Sequence, residues 1–267
     1  MRIFDCITYL NENLVLDLRL NILKEHVDYF VIVEADKTHS GKNKKKFFDI
    51  NKFKKFKSKI RYFYIKNMPK NKKNPWELEN FQRNQIMRGL HDAKPDDLIL
   101  ISDADEIPDL KKIKSLSNIK SKIYTFAQKC FYYKLNLLNE RNTPWHGTKL
   151  VSFDCLKKKS PQYFRSYKIK KYPFWRFDKP SNINIIKNGG WHFSFLNNKK
   201  GIKFKLQSFA HQELNNKKFT DLSKINYKIE NQEDLFDNKF KLKKILINNS
   251  YPAYIKKNKI KFKHWIA

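Results

Sequence analysis

The stretch LILISDADEIP, residues 98–108, places an acidic cluster directly after an apolar run. Leu98–Ser102 is apolar and of strand length, and Asp103, Asp105 and Glu106 follow it. A continuous apolar run of this kind is typical of a parallel strand buried on both faces. Carboxylates packed this closely repel each other, and beside a buried strand they are costly unless a cation compensates them. The stretch therefore predicts either a divalent-cation site or, more simply, an acidic turn that caps a helix.

Apolar segments upstream of this stretch alternate between strand and helix patterns. Predicted strands are Arg2–Thr8, Tyr29–Ala35, Ile60–Ile65 and Leu98–Ser102, and predicted helices are Leu14–Ile22 and, after Pro75, Trp76–Leu90. This alternation favours a mainly parallel α/β sheet over residues 1–110. In such sheets ligands bind beyond the carboxyl ends of the strands. Polar groups follow three of these ends, at Asn11 and Glu12, at Glu34, and at the acidic cluster.

After residue 110 the sequence pattern no longer alternates between apolar strands and helices. Longer, aromatic, partly antiparallel strands are predicted at Ile123–Leu135, Gly147–Phe153, Tyr172–Phe177 and Gly189–Phe195. Short helices are predicted at Asp221–Ile229 and Phe240–Leu246, before a basic tail, Tyr251–Ala267. Because no internal repeat and no linker rich in Gly, Ser or Pro divides the chain, we expect a single domain.

The formal net charge of +31 is the most unusual feature of the composition. Such a charge suggests nucleic acid, an anionic membrane surface or acidic substrates as partners. Abundant Lys, Asn, Ile, Phe and Tyr are also what an AT-rich genome encodes, so part of the lysine excess reflects codon usage. The lysine runs are Lys42–Lys46, Lys52–Lys59, Lys70–Lys73 and Lys256–Lys263. They read as solvated faces that can orient the protein on anionic lipid. Nucleic acid is disfavoured, because the aromatic residues are not interleaved with Arg as a stacking platform requires.

The cysteines and the hydropathy of the sequence indicate the cellular compartment in which we expect the protein. Cys6, Cys130 and Cys155 are odd in number and lack metal-ligand spacing, so we interpret them as buried thiols in a reducing compartment. No segment approaches the roughly 20 apolar residues that span a bilayer. Asp5 lies where a signal peptide needs apolar residues. We therefore expect a cytoplasmic protein, with peripheral membrane contact as an option.

Further polar groups suggest phosphate chemistry, each with a simpler alternative. Arg83, on the helix before the acidic stretch, can reach a diphosphate as a bidentate donor, or it is a surface arginine. Trp191 and His192 offer a flat face for a sugar ring and a ligand for Mn²⁺, or they are core residues. Lys205 can hold a phosphate as a point charge, and Glu213 can accept a proton as a general base. The alternative for this pair is the edge of an amphipathic helix.

Four stretches together carry a family resemblance. They are YFVIVEADKTHSGK (Tyr29–Lys42), LILISDADEIP (Leu98–Pro108), GGWHFSFL (Gly189–Leu196) with GIKFKLQSFAHQE (Gly201–Glu213), and DLFD (Asp234–Asp237). In combination they resemble glycosyltransferase family 17, the family of the N-glycan bisecting β-1,4-N-acetylglucosaminyltransferase. The resemblance extends from near residue 3 to the C-terminus.

The resemblance implies a fold, a donor and a metal. It implies a single GT-A domain with a Rossmann-like central sheet, in which residues 1–110 bind the nucleotide, 111–215 the acceptor, and 216–267 form a short helical tail. It also implies a UDP-sugar donor, typically UDP-N-acetylglucosamine, Mn²⁺ or Mg²⁺ as cofactor, and inversion at the anomeric carbon.

The resemblance also implies roles for individual residues. The implied metal ligands are Asp103, Asp105 and His192. The implied catalytic residues are Glu213 as base, Asp105 and Glu106. The nucleotide-sugar side is expected to be lined by Asn11, Glu12, Glu34, Arg83, Asp103, Trp191 and Lys205.

The acceptor and two other functions stay open. Animal members of the family carry a membrane anchor that this sequence lacks, so N-glycans are not implied as acceptor. We expect the acceptor to be a glycan, carried by a polysaccharide, a lipid-linked oligosaccharide or a glycoprotein. A metal-dependent nucleotidyltransferase would need a phosphate-cradling glycine-rich loop, and the six glycines form none. A basic nucleic-acid-binding protein is the alternative from another class.

Overall fold

The computed structural model describes residues 1–69, 74–115, 119, 122–167, 183–236 and 240–267. Within these residues, twelve strands form two sheets. The strands are β1 Ile3–Tyr9, β2 Tyr29–Ala35, β3 Ile60–Ile65, β4 Leu98–Asp103, β5 Glu106–Pro108, β6 Ile123–Phe126, β7 Lys129–Tyr132, β8 Leu137–Leu138, β9 Lys149–Ser152, β10 Ile183–Ile186, β11 Gly190–Ser194 and β12 Lys243–Lys244. The α-helices are α1 Asn13–Leu23, α2 Pro75–Asn84, α3 Phe153–Lys157, α4 Pro161–Arg165, α5 Lys199–Ser208, α6 Lys217–Thr220, α7 Leu222–Glu230 and α8 Ala253–Lys257. Short 3₁₀ helices lie at Ile50–Phe56, Gln85–Leu90, Leu110–Ser115, Gln212–Leu214 and Lys263–Trp265.

The larger sheet has seven strands in the order β10-β6-β9-β4-β1-β2-β3. The four strands predicted before residue 104 are confirmed, and they pair in parallel, β3 with β2, β2 with β1, and β1 with β4. β9 runs antiparallel between β4 and β6. Strands β1, β2 and β4 are buried along almost their whole length, as their apolar sequences predict.

The second sheet has five strands in the order β12-β8-β7-β11-β5. β5 follows the acidic turn and pairs antiparallel with β11, so that His192 lies opposite Glu106. Gly190 makes this pairing possible: its φ is +131°, and a Cβ there would lie 2.2 Å from the carbonyl oxygen of Ile107. The turn after β4 therefore connects the two sheets and lies against the strand that carries His192.

Helices and the C-terminal segment cover the larger sheet. α1 buries its leucines against the core, as its helical spacing predicts. Tyr251, Ile255 and Phe262 join the same core cluster, so the C-terminal segment packs on the main body and is only partly helical. None of the helices in the described ranges is long and apolar enough to span a membrane.

Three sequence predictions differ from the structure. Ile123–Leu135 was expected as one strand, but it forms β6 and β7 in different sheets, because the chain leaves the larger sheet at Gln128 and bridges to Trp145. Phe240–Leu246 is extended instead of helical, since Leu242 is buried between exposed lysines and the segment pairs through Lys241 and β12. The predicted helix Trp76–Leu90 divides into α2 and the 3₁₀ helix Gln85–Leu90.

Other predictions agree with the structure or lie outside it. β9, β11 and α7 are confirmed close to their predicted positions. Cys6 and Cys130 are buried and Cys155 is half-buried, and no disulfide joins these three described cysteines. The predicted strand Tyr172–Phe177 and the lysine run Lys70–Lys73 fall outside the described residues, as does Asp237.

Candidate active site

The backbone of the acidic turn, Asp103–Glu106, accepts hydrogen bonds from a buried arginine. β4 ends at Asp103 and β5 begins at Glu106, with a two-residue turn between them. Arg19 of α1 donates from Nη1 to three carbonyl oxygens of this turn, those of Asp103 at 3.2 Å, Ala104 at 3.4 Å and Glu106 at 2.6 Å. Because Arg19 is completely buried, the backbone of the turn is fixed independently of the side chains that project from it.

Asp103 lies between two arginines. Its Oδ1 accepts from Arg83 Nη2 at 2.9 Å, and its Oδ2 accepts from Arg165 Nη2 at 2.7 Å. Desolvation by itself would raise the pKa of Asp103, but the charges and hydrogen bonds of Arg165 and Arg83 outweigh it and hold the pKa well below its usual value. The side chain keeps 38% of its surface exposed, so this ionised carboxylate is open to a ligand.

Asp105 lies between Lys205 of α5 and His192 of β11. Its Oδ2 accepts from Lys205 Nζ at 2.6 Å, and its Oδ1 lies 3.4 Å from His192 Nε2. Burial opposes ionisation of Asp105, but the charges of Lys205 and His192 lower its pKa well below the usual value. The same contacts raise the pKa of His192 and of Lys205 against the effect of their own burial. Cys130 Sγ lies 3.6 Å from His192 Nδ1 on the opposite side of the ring.

Glu106 is buried, and three donors occupy its carboxylate. Its Oε1 accepts from Trp145 Nε1 at 2.7 Å and from Arg165 Nη2 at 2.6 Å, and its Oε2 accepts from the backbone N–H of Asp103 at 3.1 Å. Gly147 provides the room for this carboxylate, because a Cβ there would lie 1.9 Å from Oε1. Glu106 therefore positions two side chains that reach the site.

Asn11 and Glu12 follow β1 and share a small cavity with Asp105 and Lys205. Glu12 Oε2 accepts from the backbone N–H groups of Leu10 and Asn11, both at 3.0 Å. Its Oε1 lies 4.0 Å from Lys205 Nζ. The carboxyl ends of β1 and β4 thus meet at this cavity, as the parallel sheet predicts.

Glu34 is placed differently. Its buried carboxylate accepts from Lys44 Nζ, from the Tyr62 hydroxyl at 2.8 Å, and from the backbone N–H groups of Phe47 at 2.7 Å and Phe48 at 3.0 Å. These four donors occupy both oxygens, so Glu34 fastens the loop after β2 to the sheet. Its predicted contact with a nucleotide stays a prediction.

Two other predicted residues do not meet the acidic turn through their side chains. Trp191 is buried in the main core cluster. Glu213 lies on the 3₁₀ helix Gln212–Leu214, where its side chain is 65% exposed and its Oε1 lies 2.6 Å from His211 Nδ1. The predicted roles of Trp191 in sugar binding and of Glu213 as base stay predictions.

A comparison with protein families decides the class of this site. The model of glycosyltransferase family 17 matches residues 1–248 of the chain. The chain belongs to glycosyltransferase family 17. It is therefore a glycosyltransferase, and the acidic turn with its cationic neighbours is the candidate centre of that activity. A search of the curated proteins finds no relative that matches the chain.

Asp105 and His192 are spaced so that they could hold a divalent cation. Two ligands on adjacent positions of an octahedral ion, with bonds of about 2.1 Å, lie about 3 Å apart. The 3.4 Å between Asp105 Oδ1 and His192 Nε2 is close to that separation. Within the described residues no group of three His, Cys, Asp or Glu side chains forms a complete metal site. The remaining ligands would have to come from substrate oxygens and water.

Sequence reasoning missed four residues of this family 17 site. Asp5 and Arg19 were visible as charges inside apolar segments, a signal for a buried ion pair. Arg165 and Trp145 carry no local signal, because they reach Glu106 across 59 and 39 residues of chain. Arg165 brings a second guanidinium to Asp103, and Trp145 brings an indole to the edge of the site.

Proposed function

We propose that this enzyme transfers a sugar, N-acetylglucosamine in the simplest case, from a UDP-sugar to a glycan hydroxyl with inversion and with the help of Mn²⁺ or Mg²⁺. The observation that carries the proposal is the set of cations at the acidic turn. Arg83 and Arg165 flank Asp103, and Lys205 flanks Asp105. Three cationic side chains converging beside two ionised carboxylates suit a diphosphate and its metal ion better than a neutral ligand.

The topology supports a GT-A type of domain. Strands β3, β2, β1 and β4 are parallel neighbours, and the chain order reverses between β1 and β4. In open α/β sheets, ligands bind in the crevice outside the carboxyl ends of the strands at such a switch point. Asn11, Glu12 and Asp103 all lie there. We propose that these three residues face the nucleoside, whereas Glu34 shapes the neighbouring loop.

Asp105 and His192 would hold the metal ion. We propose that Asp103 completes the site indirectly, through a contact with the nucleotide or with a water molecule. A bound divalent cation acts as a Lewis acid that neutralises charge on the departing diphosphate. Asp105 stabilises the charged form of Lys205. We propose that this ammonium, as a point charge, also neutralises charge on the departing diphosphate. The arginines orient Asp103 and add to the positive potential that attracts the diphosphate.

The transfer itself needs a proton acceptor. The acceptor hydroxyl oxygen forms a bond to the anomeric carbon, the bond from that carbon to the diphosphate oxygen breaks, and UDP leaves with the electron pair. The hydroxyl proton passes to a carboxylate. Glu213 is the base that the sequence predicts, and its pKa is lowered by the contact with His211, so it is ionised and can accept a proton. We propose Glu213 for this task in preference to Glu106, because the Glu106 carboxylate already accepts from three donors.

Donor binding tests the proposal. We expect UDP-N-acetylglucosamine with Mn²⁺ to raise the melting temperature of the wild-type protein, and Asp105→Asn to abolish this rise. Asp92→Asn is the matched control, because Asp92 pairs with Arg2 and Arg61 at the surface. If no sugar nucleotide stabilises the wild-type protein in a metal-dependent way, the proposal fails. With UDP-N-acetylglucosamine as substrate, release of UDP supports glycosyl transfer, whereas release of N-acetylglucosamine 1-phosphate would point to nucleotidyl transfer.

The nucleic-acid alternative has its own test. A basic binding protein would shift single-stranded RNA in a gel in a strongly salt-dependent way and would not respond to sugar nucleotides. The lysine runs in the described ranges lie mainly in loops and short helices, and the cations of the site are paired with carboxylates. We therefore expect glycan acceptors, and cytoplasmic or membrane-peripheral action, in preference to nucleic acid.

A further inference from the structure

Trp145 presents an indole at the edge of the acidic turn. The residue is 36% exposed, although the neighbouring His192 and Glu106 are buried. Its ring centroid lies 4.7 Å from that of the His192 imidazole, at an interplanar angle of 34°. His192 in turn contacts Asp105, so one imidazole separates the exposed indole from the centre of the proposed diphosphate site.

The indole is immobilised from three directions. Its Nε1 donates to Glu106 Oε1 at 2.7 Å. Its backbone forms a bridge with buried Gln128, with both N–H···O distances at 2.8 Å. The His192 ring contacts it from the side. A partly exposed aromatic side chain that has already lost its rotational freedom is preorganised for a ligand, because binding costs it little further entropy.

Two buried polar atoms without partners belong to residues that adjoin Trp145 along the chain or across its backbone bridge. Gln128 Oε1 and His146 Nδ1 are buried and have no hydrogen-bond partner among the described residues. Buried polar groups are normally paired, directly or through water. A ligand suited to this setting brings an apolar face to the exposed indole and hydroxyl groups to the polar side chains of the acidic turn, of which Asp103 is 38% exposed.

A pyranose ring has that chemistry. One of its faces presents C–H groups, and its rim presents hydroxyls that donate and accept hydrogen bonds. Binding sites for such small molecules combine aromatic surface with a few placed polar groups. We propose that Trp145 forms the floor of a pyranose-binding subsite beside the acidic turn, with Glu106 holding the indole in place. The subsite rests on the proposed function for its setting, and it adds the residue that recognises the sugar.

Binding measurements with three probes test the subsite. UDP tests the nucleotide, UDP-N-acetylglucosamine adds the donor pyranose, and the disaccharide chitobiose represents an acceptor. We expect Trp145→Ala to leave the Kd of UDP within about twofold and to raise that of at least one pyranose probe about tenfold, as for a buried aromatic anchor. Trp145→Phe keeps a ring but loses the bond to Glu106, so its effect should be smaller. The probe whose affinity falls identifies the subsite as belonging to the donor or to the acceptor.

Trp76→Phe is the matched control. Trp76 is 39% exposed, but it contacts His211 and not the acidic turn. We expect the change in intrinsic fluorescence on sugar binding to persist in Trp76→Phe and to disappear in Trp145→Phe, which is mild enough to fold. The proposal is overturned if Trp145→Ala weakens UDP and UDP-sugar equally, or if no pyranose probe binds the wild-type protein. If the wild-type protein binds chitobiose through Trp145 but no sugar nucleotide, the subsite stands and the proposed donor fails.

Discussion

Arg19 and Asp5 form a bidentate ion pair that is completely buried beneath the acidic turn. Arg19 Nε donates to Asp5 Oδ2 at 2.6 Å, and its Nη2 donates to Asp5 Oδ1 at 2.5 Å. The third nitrogen, Nη1, is left for the carbonyl oxygens of the turn. Asp5 lies on the central strand β1 and Arg19 on α1, so the pair ties helix, sheet and turn together. The position of Asp103 and Asp105 therefore depends on two residues that no ligand touches.

We predict that Arg19→Met lowers the free energy of unfolding by about 3–5 kcal/mol, because it leaves the Asp5 carboxylate buried without a counter-charge. Urea unfolding followed by circular dichroism measures the loss. Asp92→Asn removes a surface ion pair with Arg2 and Arg61 and should cost about 1 kcal/mol or less. Equal losses in the two variants would show that the buried Arg19–Asp5 pair contributes no more to the free energy of unfolding than a surface ion pair does.

Lys205 gives a prediction for donor binding. Lys205→Met removes a charge that Asp105 stabilises at 2.6 Å, and it leaves that carboxylate without its closest cation. We expect the affinity for UDP-N-acetylglucosamine to fall about tenfold or more, measured by calorimetry with Mn²⁺ present. Lys203→Met, on the same helix but outside the small cavity that Lys205 lines, is the control and should bind normally. Unchanged affinity in Lys205→Met would remove this residue from the diphosphate site.

Lys149 makes stability depend on pH. Its ammonium is buried and donates to Thr125 Oγ1 at 2.9 Å and to the carbonyl oxygen of His146 at 2.8 Å. Burial first, and then the charge of Arg165, lower its pKa from 10.5 to about 7. Between these two values the unfolded chain binds more protons at this residue than the folded protein does. This residue therefore makes the unfolding free energy rise with pH over that window, by at most about 1.4 kcal/mol per unit.

Urea unfolding at pH values between about 7 and 9 checks this slope. Lys149→Met fills similar space without the charge, so we expect its stability to be higher near neutral pH and to rise less steeply than that of the wild-type protein. Other titrating groups are common to both proteins and cancel in the difference. Parallel curves would mean that Lys149 keeps its ordinary pKa in the folded state.

The strands of the larger sheet could be predicted because their signal is local. Tyr29–Ala35 and Leu98–Asp103 are apolar almost to their ends, and such runs have few alternatives to a buried parallel strand. The acidic turn could be located because it directly follows such a run. Its association with His192 and Lys205 was predicted from the family resemblance. The helix predicted at Phe240–Leu246 failed, because a run of lysines between apolar residues fits both periodicities and only packing decides between them.

Long-range partners that lie outside the recognised motifs could not be predicted. Nothing near Trp145 or Arg165 in the sequence indicates that both donate to Glu106. Trp191 was predicted to offer a flat face to a sugar ring; its indole is buried in the core cluster, and its role in sugar binding stays a prediction. The exposed indole beside His192 comes instead from a different segment of the chain. The sequence predicted a sugar-binding indole, and tertiary packing presents that of Trp145, for which we propose this role.

Glu213→Gln separates donor binding from transfer. Because Glu213 lies on an exposed turn and pairs with His211, we expect the variant to bind UDP-N-acetylglucosamine with unchanged affinity. If Glu213 is the base, the transfer rate falls about 100-fold or more, since the acceptor hydroxyl keeps its proton. Single-turnover assays measure that rate, and Glu230→Gln on α7 is the control for loss of a surface carboxylate. Wild-type turnover in Glu213→Gln would exclude it as the base.

Ile260 gives the last prediction, on membrane contact. It is 88% exposed and lies between the exposed residues Lys259 and Lys261, with Lys257 and Lys263 exposed close by in the chain. Such an apolar tip within a cationic surface suits an anionic bilayer, to which each lysine near the surface contributes about 1 kcal/mol. We expect the protein to sediment with phosphatidylglycerol vesicles and not with phosphatidylcholine vesicles.

Ile260→Asp should weaken this sedimentation more than Leu246→Asp, which makes the same change at another exposed apolar residue (83% exposed) outside the lysine run. The difference arises because Ile260 can enter the lipid interface only while its neighbouring lysines hold the headgroups. Raising the salt concentration to about 0.5 M should release the protein, since charges on the surface are then screened within a few ångströms. Equal effects of the two variants, or equal binding to both kinds of vesicle, would show that the lysines around Ile260 form only a solvated face.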